Sequence, residues 1–219
     1  MIKVYYFIKS EASLELRKDA LEKLRQSCPS LEAAVLSSAI KDAIPGRSTT
    51  LSGVLELWFE CTADAEAANE LSPAMLFVSP VETAFVLSGM ERIVMRHPGF
   101  YTTSGVKGVY AFRRKGSMPV KDFQHYWWHN HGPLAALTEN ATCYSQCHLA
   151  KEAYPNGSPG YDGVTEIYWP DLPAALSALD SRQMTEDQSS DAKNFVDLES
   201  IELMIAKEHM IIPPWKENL

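Results

Sequence analysis

Lys107-Gly108-Val109-Tyr110-Ala111-Phe112-Arg113-Arg114-Lys115, then Met118-Pro119-Val120-Lys121-Asp122-Phe123, then Tyr126-Trp127-Trp128-His129-Asn130-His131-Gly132-Pro133-Leu134, is the stretch on which the fold turns. Its opening is rich in β-branched and aromatic residues, which predicts a strand from Lys107 to Arg114. Ser117-Met118-Pro119 reads as a helix start, with a hydroxyl to cap and a proline in the first turn. Phe123, Trp127 and Leu134 recur at helical spacing and form an apolar stripe, which Gly132-Pro133 should break or bend near its end.

Working outward, Thr142 to Lys151 predicts a second strand, and Pro155-Asn156-Gly157-Ser158-Pro159-Gly160 a loop. Gly163 to Trp169 reads as a third strand, Asp171-Leu172-Pro173 as the start of a helix through Leu179, Glu186 to Asp191 as a polar loop, and Ser200 to Ile212 as a fourth strand. The order β-α-β-β-α-β is the ferredoxin-like plan.

The upstream sequence repeats the pattern. Val4-Tyr5-Tyr6-Phe7 parallels Val109-Tyr110-Ala111-Phe112, Ser52 to Phe59 parallels Asp162 to Trp169, and Phe77 to Glu82 parallels Phe195 to Glu199. Three collinear matches point to duplication. Strands are expected at Ile2–Lys9, Ala33–Lys41, Ser52–Glu60 and Val81–Arg96, with helices at Leu14–Gln26 and Ala65–Leu71. The expectation is an α+β chain of two tandem ferredoxin-like repeats, residues 1–97 and 105–219, joined by a linker around His97-Pro98-Gly99 and Thr102-Thr103-Ser104. Each four-stranded sheet would carry helices on one face, so the two bare faces should pack together as one intramolecular α+β barrel around a central cavity.

The chain has 219 residues, 46% hydrophobic and 22% charged, with a formal net charge of -8. That is globular composition, and its acidity argues against nucleic acid or an anionic membrane surface as partner. The opening segment, closed by Lys9, is neither a signal peptide nor a span, so a cytoplasmic protein is expected. Cys28, Cys61, Cys143 and Cys147 lack the pairing of a zinc site and read as reduced thiols.

The segment from Lys107 to Leu134 resembles the EthD family of the dimeric α+β barrel superfamily: a strand ending in basic residues, then a helix carrying F-x-x-Y-W-x-x-x-H-G-P. Tyr161 to Trp169 is similar to that family's third strand, and Phe195-Val196-Asp197 to the stretch before its last strand. The resemblance covers most of residues 105–212. It implies a barrel with a small-molecule cavity, in a superfamily of cofactor-free polyketide cyclases, quinol-forming monooxygenases and muconolactone isomerase. Proton-transfer chemistry of lyase, isomerase or cyclase type on an aromatic or polyketide-like substrate is then expected. A non-catalytic binding protein and a cofactor-free monooxygenase are the alternatives. The chain would act as a monomeric pseudo-dimer or a homodimer.

His131 is the leading catalytic candidate, because imidazole titrates near neutrality; alternatively its ring locks the Gly132-Pro133 turn. The first repeat has Gln26-Ser27-Cys28-Pro29 there and no histidine, so any site should be asymmetric. His125 and His129 stand off the apolar stripe and should face solvent. Glu166 is the second catalytic candidate. Strand alternation puts it with Val164 and Tyr168, as it puts Glu56 with Val54 and Trp58, on the face expected to look into the cavity. Glu56 recurs without a histidine, which equally suits a structural role. Tyr110, Phe112, Trp127, Tyr168, Glu56 and Trp58 are expected to bind substrate, and Arg113 or Arg114 to meet a carboxylate or phenolate. There is no G-x-G-x-x-G, P-loop or nucleophile elbow, so no cofactor is expected, and the ligand context of the superfamily's haem-binding branches is not evident.

Overall fold

The computed structural model describes residues 1–98, 105–150 and 160–212. Its strands are β1 (Ile2–Lys9), β2 (Leu31–Ala39), β3 (Gly53–Phe59), β4 (Glu82–Arg96), β5 (Val106–Arg114), β6 (Cys143–Leu149), β7 (Gly163–Trp169) and β8 (Val196–Ile212). They close into one barrel in the order β1-β3-β2-β8-β5-β7-β6-β4. The first four strands thus lie β4-β1-β3-β2 and the last four β8-β5-β7-β6. Two long strands do the closing. Residues 82–90 of β4 pair with β1 and residues 89–96 with β6, while residues 196–207 of β8 pair with β5 and residues 206–212 with β2. Among the described strands no sheet edge is left unpaired as a template for aggregation.

The registers of the two halves correspond. Lys3 stands opposite Trp58 and Tyr5 opposite Glu56 on β1–β3, as Lys107 stands opposite Tyr168 and Val109 opposite Glu166 on β5–β7. This corrects the alignment of Val4 with Val109: Lys3 is level with Lys107, and Val4 with Gly108. A one-residue slip exchanges inward and outward faces, so the difference decides which side chains are counterparts.

Helices α1 (Ala20–Ser27) and α2 (Thr62–Asn69) cover the outer face of the first half. On the second half, α3 (Val120–Tyr126) runs through a π-helical turn, Trp127–His131, into α4 (Gly132–Ala135), joined by α5 (Leu172–Asp180) and α6 (Ser189–Ala192). Three local expectations need correction. The first helix begins at Ala20 rather than Leu14, because the preceding backbone pairs across to Leu76 and Phe77. Ser117 does not cap α3, whose N-cap position is Pro119 without a side-chain bond. The polar segment from Glu186 to Asp191 is helical, a π turn (Gln183–Gln188) leading into α6. The Pro155–Pro159 part of the expected loop and most of the expected linker lie outside the described residues.

Where a central cavity was expected, buried side chains of the described residues fill the barrel. One end is apolar, with Tyr5, Phe7, Val54, Leu87, Val109 and Met204 in contact. Next to it lies a layer of charge. Lys3 and Lys107 are wholly buried, and each bonds both Glu56 and Glu166: Lys3 meets Glu56 at 2.8 Å and Lys107 meets Glu166 at 2.9 Å, with closer contacts Lys3–Glu166 and Lys107–Glu56. Glu91 completes Lys3 at 3.3 Å and Glu208 completes Lys107 at 3.0 Å. Hydroxyls of Tyr5, Tyr168 and Ser37 donate to the central carboxylates at 3.0, 3.3 and 3.0 Å. The Trp58 ring lies over the Lys3 ammonium at 4.1 Å and its indole N–H donates to Glu91. Glu56, Trp58, Glu166 and Tyr168, expected around a substrate, are therefore members of this internal network.

Burial, then the negative charge of Glu166, pushes the Glu56 carboxyl up to about 7 against the pull of Lys107 and Lys3. Burial also opposes ionisation of Glu166, but Lys107 and Lys3 outweigh it and hold its carboxyl well below the usual range. Of the two central carboxyls, Glu56 is therefore the one that takes up a proton more readily. A carboxyl that is harder to ionise folded than unfolded adds stability at low pH and loses it as pH rises through its folded value, here about 7. Glu56→Gln mimics the protonated acid, so it should gain on the wild type in chemical denaturation between roughly pH 5 and 8. Glu166→Gln removes the ionised carboxylate that both buried cations share and should cost about 3–5 kcal/mol. Equal damage from both variants at the upper pH would contradict this assignment.

Candidate active site

The site lies outside the barrel, between the second half's sheet and its helices. Pro133 has no N–H, and the Gly132 N–H reaches back five residues to the Trp127 carbonyl, which opens the π turn. The helix is therefore distorted, not broken, by Gly132-Pro133. Trp127 is fully buried under this turn, with Phe112 edge-on at 5.0 Å, Phe123 stacked at 5.5 Å and His148 stacked at 4.5 Å. Gly163 makes the seat, since a Cβ there would meet the Trp127 ring at 2.5 Å.

At the end of the π turn, His131 Nδ1 lies 2.8 Å from Asp191 Oδ2. A carboxylate can only accept, so the hydrogen sits on Nδ1 and Nε2 is the nitrogen left for the cavity. Asp191 comes from α6, inside the segment read as a polar loop. Its other oxygen accepts from the Tyr126 hydroxyl at 2.6 Å, and Tyr126 accepts from Asn194 at 3.0 Å. The Phe195 ring stands 4.9 Å from the imidazole. Burial pulls the His131 pKa below its ordinary value, with Asp191 working the other way through its hydrogen bond and charge. The ring is therefore neutral, oriented and backed by a carboxylate, the arrangement of a general base.

His131 borders a cavity of about 360 Å³. Tyr110, Phe112, Trp127, Thr165 and Ile167 form its floor, and Met184, Gln188 and Ala192 from the helical side cover it. Ile44 and Arg47, from the β2–β3 connection of the first half, reach its rim. Of the residues expected to act together, Tyr110, Phe112, Trp127 and His131 meet here. Glu166 does not: Thr165 and Ile167 on either side of it face the cavity, so its carboxylate points through the sheet into the barrel. Arg113 is half exposed, 3.8 Å from Asp197. Arg114 donates to the Met118 carbonyl and is paired with Asp162, clipping β5 to its neighbours. His125 and His129 are exposed, with rings 4.4 Å apart, away from the cavity wall. Among the described residues no cluster of three or more His, Cys, Asp or Glu is placed to hold a metal, and no helix is long and apolar enough to cross a membrane.

Residues 115–199, which supply the helical cover, His131 and Asp191, match the EthD domain model. That segment of the chain, less than half of its length, is similar to the EthD domain. An EthD family protein from Bacillus halodurans aligns at 18% identity over 48% of this chain and 99% of its own, with a TM-score of 0.40. The EthD domain and the half before it are together similar to an anthrone oxidase-like protein, at 8% identity over 100% of this chain and 96% of that one, TM-score 0.60. They are similar also to a chlorite dismutase variant from Candidatus Nitrospira defluvii, at 7% identity over 95% and 90%, TM-score 0.54. At such identities the likeness is one of fold. No curated protein matches.

Two measurements check the site. Gly163→Ala should unseat Trp127 and cost about 1–3 kcal/mol in denaturant unfolding; an unchanged midpoint would contradict the packing. Asp191→Asn removes what opposes burial at His131, so NMR titration should find the imidazole pKa lower still.

Proposed function

We propose that this protein is an enzyme that needs no cofactor, binding a small aromatic or polyketide-like molecule in the cavity beneath α3 and α6. His131 Nε2 takes a proton from an acidic C–H or phenolic O–H, and Asp191 stabilises the imidazolium that forms. The carbanion or phenolate then has three onward routes: reprotonation at another atom, ring closure, or expulsion of a leaving group. Reaction with dioxygen, as in a cofactor-free monooxygenase, shares the same first step. The observation that carries this reading is the 2.8 Å contact of His131 with Asp191 on the wall of an apolar cavity. Tyr110, Phe112 and Trp127 supply aromatic surface. Glu56, Trp58, Glu166 and Tyr168 hold the barrel together and take no part in the chemistry.

The same reading treats the halves, residues 1–97 and 105–219, as copies of one ferredoxin-like unit. Its support is the shared strand order and the register that sets Lys3, Glu56 and Glu91 level with Lys107, Glu166 and Glu208. Duplication followed by loss of the histidine leaves the first half as scaffold.

Deuterium exchange at the acidic C–H of a cyclic aromatic ketone, followed by NMR, tests the base. His131→Gln should slow exchange by about 10²–10⁴-fold with ligand affinity within a factor of about two. The wild-type rate should rise through one ionisation below the ordinary histidine value, and Asp191→Asn should move that limb to lower pH. Exchange that survives His131→Gln would sink the proposal, and binding without any exchange would leave a carrier. Oxygen uptake with an anthrone identifies the oxygenase branch. The same Asp191 contact favours a second reading, because metal-ligating imidazoles are commonly oriented by a carboxylate on the far nitrogen. His131 would then ligate haem iron, which would supply redox chemistry. A Soret band on adding haemin, lost in His131→Ala, is its signature.

A further inference from the structure

The two halves treat equivalent tyrosines differently. Register places Tyr6 of β1 level with Tyr110 of β5: Tyr6 pairs with Val86 and Tyr110 with Leu203 on the corresponding long strands. The Tyr6 hydroxyl donates to the Ala68 carbonyl of α2. The Tyr110 hydroxyl is buried without a hydrogen-bond partner, and its ring forms part of the cavity floor. A buried phenol lacking a partner forfeits its hydration without return unless a bound molecule completes it.

Arg47 stands at the same end of the cavity. A main-chain bond from the Ile40 N–H to the Ile205 carbonyl at 2.8 Å and a side-chain bond from the Arg47 guanidinium to the Ile201 carbonyl at 3.2 Å set its loop against the second half. Among the described residues no carboxylate pairs with Arg47. Burial pushes the Tyr110 phenol up while the Arg47 charge pulls it down, so the guanidinium's field reaches the hydroxyl. One end of the cavity thus holds a planar cation whose one named bond is to a carbonyl and a buried O–H without a partner, and the other the His131 imidazole.

We propose that the cavity selects an aromatic molecule bearing an anionic oxygen group, a carboxylate or its equivalent, which Arg47 of the first half and the Tyr110 hydroxyl grip together. A guanidinium fork matches two carboxylate oxygens, and the phenol adds a third donor. The first half is then part of the specificity apparatus: its loop supplies the charge that the EthD domain lacks on this wall. The inference rests on the cavity assigned above as the ligand site, but not on His131 moving a proton.

Calorimetric binding of 1-naphthoate and of its neutral near-isostere 1-naphthamide tests it. The wild type should bind the carboxylate at least about tenfold more tightly than the amide, the scale of a charge-assisted hydrogen bond. Arg47→Gln should bring the two within about twofold by weakening the carboxylate alone, and Tyr110→Phe should lower carboxylate affinity by about two- to tenfold. Arg47 is exposed, so that variant should keep the wild-type melting temperature. Equal affinities in the wild type, a preference that survives Arg47→Gln, or no binding of either compound at millimolar concentration overturns the proposal. His131→Gln should retain the preference. Slow exchange there with the preference intact supports both readings, whereas a lost preference in the wild type with His131-dependent exchange overturns this inference alone.

Discussion

Two lysines and two glutamates share one dry space inside the barrel, and each lysine bonds the glutamates of both halves. Lys3 of the first half meets Glu166 of the second, and Lys107 of the second meets Glu56 of the first, so the two sheets are tied across the interior. Separating the sheets, or slipping one by a residue, would leave charge buried and unpaired, which costs several kcal/mol. Such a cluster adds little net stability over a well-packed apolar core, but it strongly disfavours other registers. It also fills that part of the barrel interior, and the cavity beside His131 lies on the opposite face of the sheet.

There the two halves part company. Under α1 and α2 the outer face is filled by Tyr6, Leu24, Leu55, Leu57, Ala68 and Phe77. Under α3 to α6 the π turns displace the helices from regular packing, and a cavity remains between Tyr110 and His131. The asymmetry follows from local chemistry. Pro133 and the close approach allowed by Gly163 place Trp127 and His131, whereas the Cys28-Pro29 that follows α1 supplies a small buried thiol.

Much of this was legible in the sequence. Strand patterning identifies β1, β3 and β7 within a residue or so, and helical spacing puts Phe123, Trp127 and Leu134 on one stripe, of which Phe123 and Trp127 pack together on one side of the sheet. The sense of the alternation was also read correctly: Val164, Glu166 and Tyr168 share the inward face. What lay inside was not legible, because Lys3 and Lys107 read as ordinary polar residues of strands and the repeat was aligned one residue out. Had Lys3 been set against Lys107, two cations and two carboxylates on the inward faces would have signalled an ionic core. Asp191 was hidden for another reason: its partner is 60 positions away, and its π-helical surroundings show no apolar periodicity. Arg47 sits in a connection without periodicity, and only tertiary contact gives it meaning.

On the proposed function ligands enter the space under α3 and α6 and never the barrel, and two indole groups report the difference. Trp127 lines the cavity, and the Trp58 indole N–H donates to Glu91 inside the barrel. In a proton–nitrogen correlation spectrum titrated with a naphthalene ligand, the Trp127 indole resonance should shift to saturation while that of Trp58 stays in place. A shift at Trp58 with Trp127 unmoved would contradict it.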